Sequence, residues 1–221
     1  MTGRSGRAER AGVTREQILT AAERLFAEHG VSAVSNRQVS EAAGQGNNAA
    51  VGYHFGTKTH LVRAIVRRHA EPIERRRGQL ADAAGDSADV RDWVACLVRP
   101  VTEHLAALGT PTWYARFLAQ VVTDPALCAI IIEANRGSAS LRRAVEGFDR
   151  CLPDLPADVR AERGEMARRL IVHTCADRER ALAEGAPTSR PSWHDAATGL
   201  IDALVGLWLA PVTRDPAAPP T

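Results

Sequence analysis

Three side chains that could form a nucleophilic catalytic site lie close together in the last third of the chain: His173, Cys175 and Asp177. A thiol beside an imidazole is the arrangement of a nucleophile and its base. This segment is predicted to be helical, however, and residues i and i+2 point about 200° apart on a helix, so His173 and Cys175 cannot face each other. Asp177, four residues after His173, would only orient that imidazole. Since GxSxG, P-loop, HExxH and paired CxxC motifs are also missing, we expect no enzymatic activity.

A second group of chemically distinctive residues lies in the first third of the chain and suits nucleic-acid binding. Asn47 and Asn48 are adjacent, and an asparagine amide can bond the edge of adenine in the major groove through two hydrogen bonds. The same residue type also tolerates left-handed backbone and caps helices, so the pair fits a turn equally well. Arg37, at the predicted start of a short helix, is a candidate for a contact with a backbone phosphate.

Charge is distributed unevenly along the chain. Residues 1–80 hold 13 Arg and Lys against 7 Asp and Glu, whereas residues 81–221 hold 15 against 19, so the formal net charge of +2 conceals a basic N-terminal part. Such an asymmetry is typical of a head that binds a polyanion and a body that binds another partner. Lys58 is the single lysine, which means that phosphate contacts would be made largely by arginine.

Composition favours an all-α protein. Hydrophobic residues make up 45% and aromatic residues 5% of the chain, and small aliphatic side chains suit closely packed helices better than a sheet. The cysteines, at 96, 128, 151 and 175, lack CxxC spacing and are expected to be free thiols without a metal site or cofactor. The first dozen residues have no apolar signal-peptide core, and residues 200–212 are too short to span a bilayer. We therefore expect a cytoplasmic protein without membrane contact.

Short helices separated by glycine are predicted in the N-terminal part. The first begins at Thr14, with Gln17 as capping-box partner, and ends at Gly30. The second is capped by Ser35 and ends at Gly44. A turn over residues 45–48 precedes a third helical segment over residues 48–54, and Thr57 caps the next helix, whose buried side includes Leu61, Ile65, His69 and Ile73. Two short helices joined by a tight turn behind a longer one form a helix-turn-helix unit.

The remainder is helical by pattern. The predicted helices cover residues 89–108 with a kink or break at Pro100, 111–122, 125 onwards with a break near Gly137, 156–184, and one that begins after Ser192. The inner stripe predicted for residues 156–184 is Met166, Leu170, Thr174 and Ala181. The last helix has a wide apolar face, and such a face exposed on a monomer would invite aggregation. We therefore expect a homodimer interface at Leu200, Ile201, Leu204, Val205 and Trp208.

Three segments agree in order and spacing with one known family. They read Ile18-Leu19-x-Ala21-Ala22-x-x-Leu25-Phe26-x-x-x-Gly30, Val39-Ser40-x-Ala42-Ala43-Gly44, and Tyr53-His54-Phe55-Gly56-Thr57-Lys58-x-x-Leu61. In these residues the chain resembles the DNA-binding domain of the tetracycline-repressor (TetR) family. The later two thirds resemble that family only in length and helical pattern. Two departures concern the turn after Gly44, which is one residue longer than usual, and Gly52, which stands where the family has its first aromatic residue.

The resemblance implies a domain order and a function. A flexible basic arm (1–12) would precede a helix-turn-helix head (13–56), an effector-binding and dimerisation domain (57–210) and a disordered tail (211–221). In the family, the third helix enters the major groove of double-stranded operator DNA, and residues at the positions of Tyr53, His54 and Lys58 contact phosphates. We expect a homodimeric repressor that a small-molecule effector releases from its operator. The alternative is a dimeric ligand-binding or scaffold protein whose head binds DNA without specificity.

Contacts to the effector are predicted within the body. Ligand pockets are mostly apolar with a few polar groups, although apolar side chains at helical spacing more often form plain core. Arg116, Arg136 and Arg178 could bind a carboxylate. The candidate pocket residues are Cys96, His104, Trp113, Phe117, Asn135, His173 and Trp193.

Overall fold

A computed structural model describes residues 3–47 and 49–213, with side chains described from residue 11 onwards. Within these residues the protein consists of ten α-helices and no strand, so the predicted all-α fold is confirmed. The helices are α1 (Gly3–His29), α2 (Asn36–Ala42), α3 (Ala50–Phe55), α4 (Lys58–Ala84), α5 (Val90–Leu108), α6 (Tyr114–Thr123), α7 (Pro125–Arg136), α8 (Ala139–Cys151), α9 (Ala157–Ala183) and α10 (Trp193–Leu209).

The caps predicted between the first helices are present. Ser35 and Gln38 form the reciprocal capping box of α2, and the Thr57 hydroxyl accepts a hydrogen bond from the His60 amide at the start of α4. After α1, Gly30 takes a φ of +84°, which only glycine adopts without strain. These local signals set where α1 ends and where α2 and α4 begin.

Helix α1 begins eleven residues earlier than the sequence predicted. Residues 3–12, expected to be a flexible arm, are helical, and Thr14 lies inside α1 instead of capping it. Arg7-Ala-Glu-Arg10 are good helix formers and no proline precedes Thr14, although Gly3, Gly6 and Gly12 in the same stretch disfavour a helix. The Thr-x-x-Gln pattern that was interpreted as the start of a helix therefore lies within one. Residues 1 and 2, most of the predicted tail (214–221) and Asn48 lie outside the described residues.

One apolar core runs from the N-terminal helices into the body. Ile18 and Phe26 of α1, Val39 of α2, Val51 of α3 and Leu61 of α4 are each fully buried in it. The same cluster continues through α6, where Phe26 and Phe117 stack with 6.3 Å between ring centroids. The core therefore crosses the boundary at residues 56 and 57 that the sequence suggested, so α1 to α4 and α6 are packed as one mass.

Helix α5 continues through Pro100 as one helix, so the expectation of a split at this residue was wrong. The break predicted near Gly137 is present, since α7 ends at Arg136 and Ser138 caps α8. Among the described helices, no single one is both long and apolar enough to cross a membrane. Helices α6 and α7 reach those limits only when they are combined, and they are bent by 115° relative to each other.

The apolar face of α10 is buried inside its own subunit. Leu200, Ile201, Leu204 and Trp208 pack in a second core with α5 and α8, and Val205 is half-buried beside them. The expected dimer contact through these side chains is therefore corrected, because α5 already covers them. The opposite face of α10 carries Ala and Gly, so the hydrophobic pattern alone could not show which side faces a partner.

Helix α9 buries a different face from the one that the sequence predicted. Met166 is 45% and Leu170 37% exposed, and Thr174 is exposed as well. The inward face instead carries charged groups such as Arg163, which donates to the carbonyl oxygens of Trp208 and Ala210. Because buried charged residues with partners break the usual apolar pattern, the predicted inner stripe was wrong.

Candidate functional site

Helix α3 presents one open face on the surface of the N-terminal helices. Val51 and Phe55 point into the core, whereas Ala49, Gly52 and Tyr53 are exposed. Tyr53 is 85% exposed, and a Cβ added at Gly52 would meet no described atom within 4 Å. A six-residue helix with an exposed aromatic ring and an unobstructed backbone can approach a groove closely.

Tyr53 and His54 lie together at the end of this face. Their rings meet edge to face, with centroids 5.1 Å apart. Arg15 of α1 adds a charge here that sequence reasoning missed: its Nη1 donates to the His54 carbonyl at 3.4 Å, and its guanidinium lies 4.4 Å from the centroid of the Phe55 ring. The only available signal was a basic residue one turn before the buried Leu19, which is too common to be diagnostic.

Asn47 acts in the turn before α3. Its Oδ1 accepts a hydrogen bond of 2.8 Å from the Ala49 amide, and its carbonyl accepts one of 3.0 Å from the Ala50 amide. Gln45 ties the same turn to α1 through a hydrogen bond to Gln17. In this structure Asn47 therefore makes the turn contact that was the alternative to base recognition, and its amide nitrogen remains for a second role.

Two predicted phosphate contacts have different surroundings. Lys58 Nζ donates to the carbonyl oxygen of Val31 at 2.9 Å and lies 3.5 Å from that of Ser32. Both acceptors are uncharged backbone groups. Arg37 forms an ion pair with Glu41 at 2.7 Å, and that hydrogen bond raises the pKa of Arg37. Lys58 is therefore the stronger candidate for attracting a phosphate.

A chain of polar side chains joins α1 to the body. His69 Nε2 lies 2.8 Å from Glu23 Oε2, and His69 Nδ1 lies 2.8 Å from His104 Nε2. Glu23 and His69 are both buried, and the Tyr114 ring stacks on His69 with 3.8 Å between centroids. Burial, and then the charge of His69, lower the pKa of His104 to about 4. Burial also raises the pKa of Tyr114.

A cavity of about 600 Å³ lies next to these polar side chains, between α4, α6, α7 and α9. Its walls are mostly aliphatic, and Tyr114, Asn135 and several charged side chains also line it. Of the predicted ligand contacts, Asn135 alone is among its lining residues. An open depression of about 910 Å³ on the outer side of α1 and α2 includes Trp113.

The other predicted ligand contacts occupy core or surface positions. Phe117 and Cys96 belong to the first and second apolar cores, and His173 is exposed on α9. Trp193 packs against the guanidinium of Arg178, and Arg116 binds the buried Glu179 at 3.1 Å. The sequence pattern could not distinguish core, surface and ligand-binding positions among these residues, because all of them are single side chains at helical spacing.

Charged residues of α4 and α9 line the cavity and were missed by sequence reasoning. Glu74 accepts hydrogen bonds from the Ser138 hydroxyl and the Ser140 amide, and beside it lies Arg77. Burial tends to raise the pKa of Glu74, but these hydrogen bonds together lower it. Burial lowers the pKa of Arg77. A half-buried carboxylate and a buried guanidinium thus lie side by side in the wall of the cavity.

Two segments of the chain match known protein families. Residues 18–65 match the family described as bacterial regulatory proteins, tetR family. Residues 95–206, just over half of the chain, match the tetracyclin repressor-like C-terminal domain. The chain belongs to the TetR family.

Individual relatives of the TetR family match over a shorter range or at lower identity. The HTH-type transcriptional repressors AcnR of Corynebacterium glutamicum and Corynebacterium efficiens are each 40% identical over 57 residues, which is 26% of this chain. The matched segment spans only 30% of the length of either relative. The TetR family regulator PfmR of Thermus thermophilus shares the fold, with a TM-score of 0.51 and 19% identity over 86% of this chain and 96% of PfmR.

Proposed function

We propose that this TetR-family protein is a homodimeric transcriptional repressor that binds double-stranded operator DNA and is released by a small-molecule effector. The head of residues 13–56 is the DNA-binding part, and the body of residues 57–210 binds the effector. The observation that carries the proposal is the open face of α3, on which an exposed Tyr53 adjoins a glycine without steric obstruction. The family matches to both parts of the chain support it.

DNA contact in this proposal is divided between the groove and the backbone. The face of α3 enters the major groove, and Gly52 lets the helix backbone approach the DNA without a side chain in between. Tyr53, His54 and Lys58 contact phosphates on either side, with Arg15 adding positive charge behind them. Arg37 would have to release Glu41 first, since the two form an ion pair.

Dimerisation is assigned to the outward faces of α9 and α10. Met166 and Leu170 on α9 and Leu209 on α10 are 45%, 37% and 47% exposed. Ala203 and Gly206 lie on the open side of α10, where small residues let a second helix approach closely. A second copy covering this surface would remove its apolar side chains from water. These residues replace the buried side of α10 as the proposed interface.

In this proposal, the effector causes release of DNA by moving α4 and the polar side chains that connect it to α1. Tyr114 lines the cavity and stacks on His69, which binds Glu23 on the first helix of the head. An effector that moves Tyr114 would shift His69 and Glu23, and this would change the angle between α1 and α4. The two heads of a dimer must match the spacing of two half-sites, so a small rotation of each head lowers affinity for DNA.

The proposal is tested by titrating the purified protein against the DNA immediately upstream of its own gene. Fluorescence anisotropy at two salt concentrations, with an excess of nonspecific competitor DNA, measures both affinity and specificity. Tight binding that resists the competitor and weakens with salt would support a specific regulator. Binding that the competitor abolishes, followed by failure of a genome-wide DNA selection, would favour the alternative of a ligand-binding or scaffold dimer with a nonspecific head.

A further inference from the structure

The cavity between α4, α6, α7 and α9 is lined by two arginines that do not use all of their donors. Arg77 is only 9% exposed, and its Nε has no hydrogen-bond partner among the described residues. Arg168 lines the same cavity, and its Nη1 is also buried without a partner in the described part of the chain. A buried donor without an acceptor costs free energy, so a ligand that brings an acceptor oxygen is favoured here.

The surroundings of Arg77 leave part of its positive charge uncompensated. Its Nη1 lies 3.3 Å from Glu74 Oε2 and 3.5 Å from Ser138 Oγ, and both distances are long for hydrogen bonds. Glu74 in turn shares its negative charge with the Ser138 hydroxyl and the Ser140 amide. Arg77 is thus a buried cation beside a carboxylate that is already solvated by other donors.

Arg168 supplies a donor beside a shared carboxylate. Its Nε and Nη2 bind the two oxygens of Glu165 at 2.9 and 2.6 Å, and Glu165 also accepts a hydrogen bond of 2.9 Å from Arg169. Of the four arginines that line the cavity, Arg63 is paired with Glu133, Arg67 is exposed and Arg77 is the most buried. We therefore assign recognition of the ligand's charge to Arg77.

Aliphatic side chains form a large part of the remaining wall of the cavity. They include Val66 and Ile73 of α4, Leu118 and Val122 of α6 and Ile130 of α7. A volume of about 600 Å³ is in the range of sites for small organic ligands. Aliphatic side chains next to charged ones, which also include Arg63, Arg67, Glu71 and Glu133, complement a molecule with both a polar and an apolar part.

We infer that the effector is an amphipathic carboxylate, whose carboxylate binds Arg77 and whose apolar body packs against these walls. A guanidinium binds a carboxylate through two parallel hydrogen bonds, and a rotation of the Arg77 side chain would bring its unpaired, buried Nε to the ligand. This inference rests on the proposed role of the body as the effector-binding part. It adds the charge and shape of the ligand class.

Three probes with the same eight-carbon tail test the class directly. Octanoate, octan-1-ol and octylammonium are titrated into the full-length protein by isothermal titration calorimetry. Octanoate should bind at least about tenfold more tightly than octan-1-ol, since a charge-assisted bidentate pair is worth about that much, and octylammonium should bind more weakly than either. Equal affinity for octanoate and octan-1-ol, or no octanoate binding at millimolar concentration, would overturn the inference.

Variants of Arg77 locate the carboxylate. Arg77→Met should remove the preference for octanoate and leave octan-1-ol binding unchanged, whereas Arg142→Met, an exposed arginine of α8 outside the cavity lining, should change neither. Arg77→Lys keeps the charge without the two-pronged geometry, so it should lose part of the preference and remain folded if the methionine variant does not. An undiminished preference in both Arg77 variants would contradict the assignment.

The same protein samples are tested for DNA binding without any probe, which separates the two proposals. Specific DNA binding together with equal affinity for the three probes overturns the ligand class and leaves the repressor function standing. A preference for octanoate without specific binding to the upstream DNA, followed by failure of the genome-wide DNA selection, supports the ligand class and contradicts the repressor function.

Discussion

The imidazole of His69 stacks on the ring of Tyr114, with 3.8 Å between their centroids and 20° between their planes. His69 belongs to α4 and Tyr114 to the first turn of α6, which also forms a wall of the cavity. Through Nε2, the same imidazole binds Glu23 on α1. One histidine therefore contacts both the helix that supports the DNA-binding head and the residue that faces the proposed effector.

Replacing Glu23 by glutamine should weaken this connection. The carboxylate is buried, binds His69 at 2.8 Å and lies 4.0 Å from Arg68, so the neutral amide loses a charge-assisted hydrogen bond. We expect the free energy of unfolding, measured with urea, to fall by about 1–3 kcal/mol. Glu28→Gln, at an exposed position on the same helix, should change it by less than about 0.5 kcal/mol. Equal stability of both variants would show that the buried contact contributes nothing.

Stability should depend on pH through His104. Burial and the neighbouring His69 lower its pKa to about 4 in the folded protein, whereas the unfolded chain has the usual value near 6.5. The unfolded state therefore binds more protons between these values, so the free energy of unfolding falls as the pH is lowered from about 6.5 to about 4. The groups facing this site are Glu23, His69, Tyr114 and, beyond Glu23, Arg68.

A histidine variant isolates this contribution. His104→Gln should flatten the slope of unfolding free energy against pH in that window, while His173→Gln, at an exposed position of α9, serves as the matched control. Urea unfolding at half-unit steps of pH gives the slope. A slope that persists in His104→Gln would assign the acid sensitivity to another group.

Gly147 allows α8 to approach Trp93. A Cβ at this position would lie 2.4 Å from three atoms of the buried indole, whose Nε1 is held by the Ser87 carbonyl at 2.9 Å. Gly147→Ala should therefore destabilise the fold by about 1–3 kcal/mol despite the better helix propensity of alanine. Gly78→Ala is the control, because its nearest neighbour is 4.0 Å away, and it should stabilise α4 by up to about 1 kcal/mol. Thermal unfolding of both variants measures the contrast.

Local capping and turn chemistry were predictable from the sequence, because they depend on a few neighbouring residues. Ser35 with Gln38, Thr57 and Gly30 each occupy their predicted positions, and the buried side of α4 was also correct. The start of α1 was not, since the pattern around Thr14 is compatible with both a cap and a helix interior.

Which face of a helix is buried depends on what packs against it, and this was the main limit on predicting the fold from the sequence. On α10 both sides lack charge over much of the length, and on α9 the buried side contains Arg163 and Glu179. Each of these two residues binds a partner on a distant helix. Glu179, for example, accepts hydrogen bonds from the backbone amides at the start of α6. The cavity residues Arg77 and Arg168 escaped notice for the same reason, because burial of an arginine cannot be inferred from its sequence neighbours.

Tyr53 and Lys58 should contribute to DNA binding in different ways. Tyr53→Phe removes one hydroxyl from an exposed ring and should lower affinity several-fold, with the thermal unfolding temperature unchanged. Lys58→Gln should also lower affinity, and it should reduce the slope of log affinity against log salt by about 1, as expected for one lost phosphate contact. Because Lys58 holds the Val31 carbonyl, this variant should also be slightly less stable. An unchanged salt slope would leave Lys58 with a structural role alone.

The outward face of α9 should carry the dimer contact. Leu170 is 37% exposed and borders a groove between α9 and α10 that also includes Ala203 and Gly199. A charge placed there would be desolvated when a second subunit covers it, so Leu170→Glu should shift the protein from dimer to monomer without unfolding it. Val145→Glu is the matched control, because Val145 is 40% exposed on α8. Sedimentation equilibrium at micromolar concentration measures the mass of each.

The monomeric variant also tests why dimerisation matters for DNA binding. A dimer binds two half-sites at once, and the second contact is intramolecular once the first has formed. Leu170→Glu should therefore lose most of its affinity for a two-half-site operator while affinity for an isolated half-site stays the same. If Leu170→Glu remains dimeric, the interface does not lie on the α9–α10 face, and the spacing of the two heads would have to be set by a different pair of helices. If Val145→Glu dissociates instead, that interface includes α8.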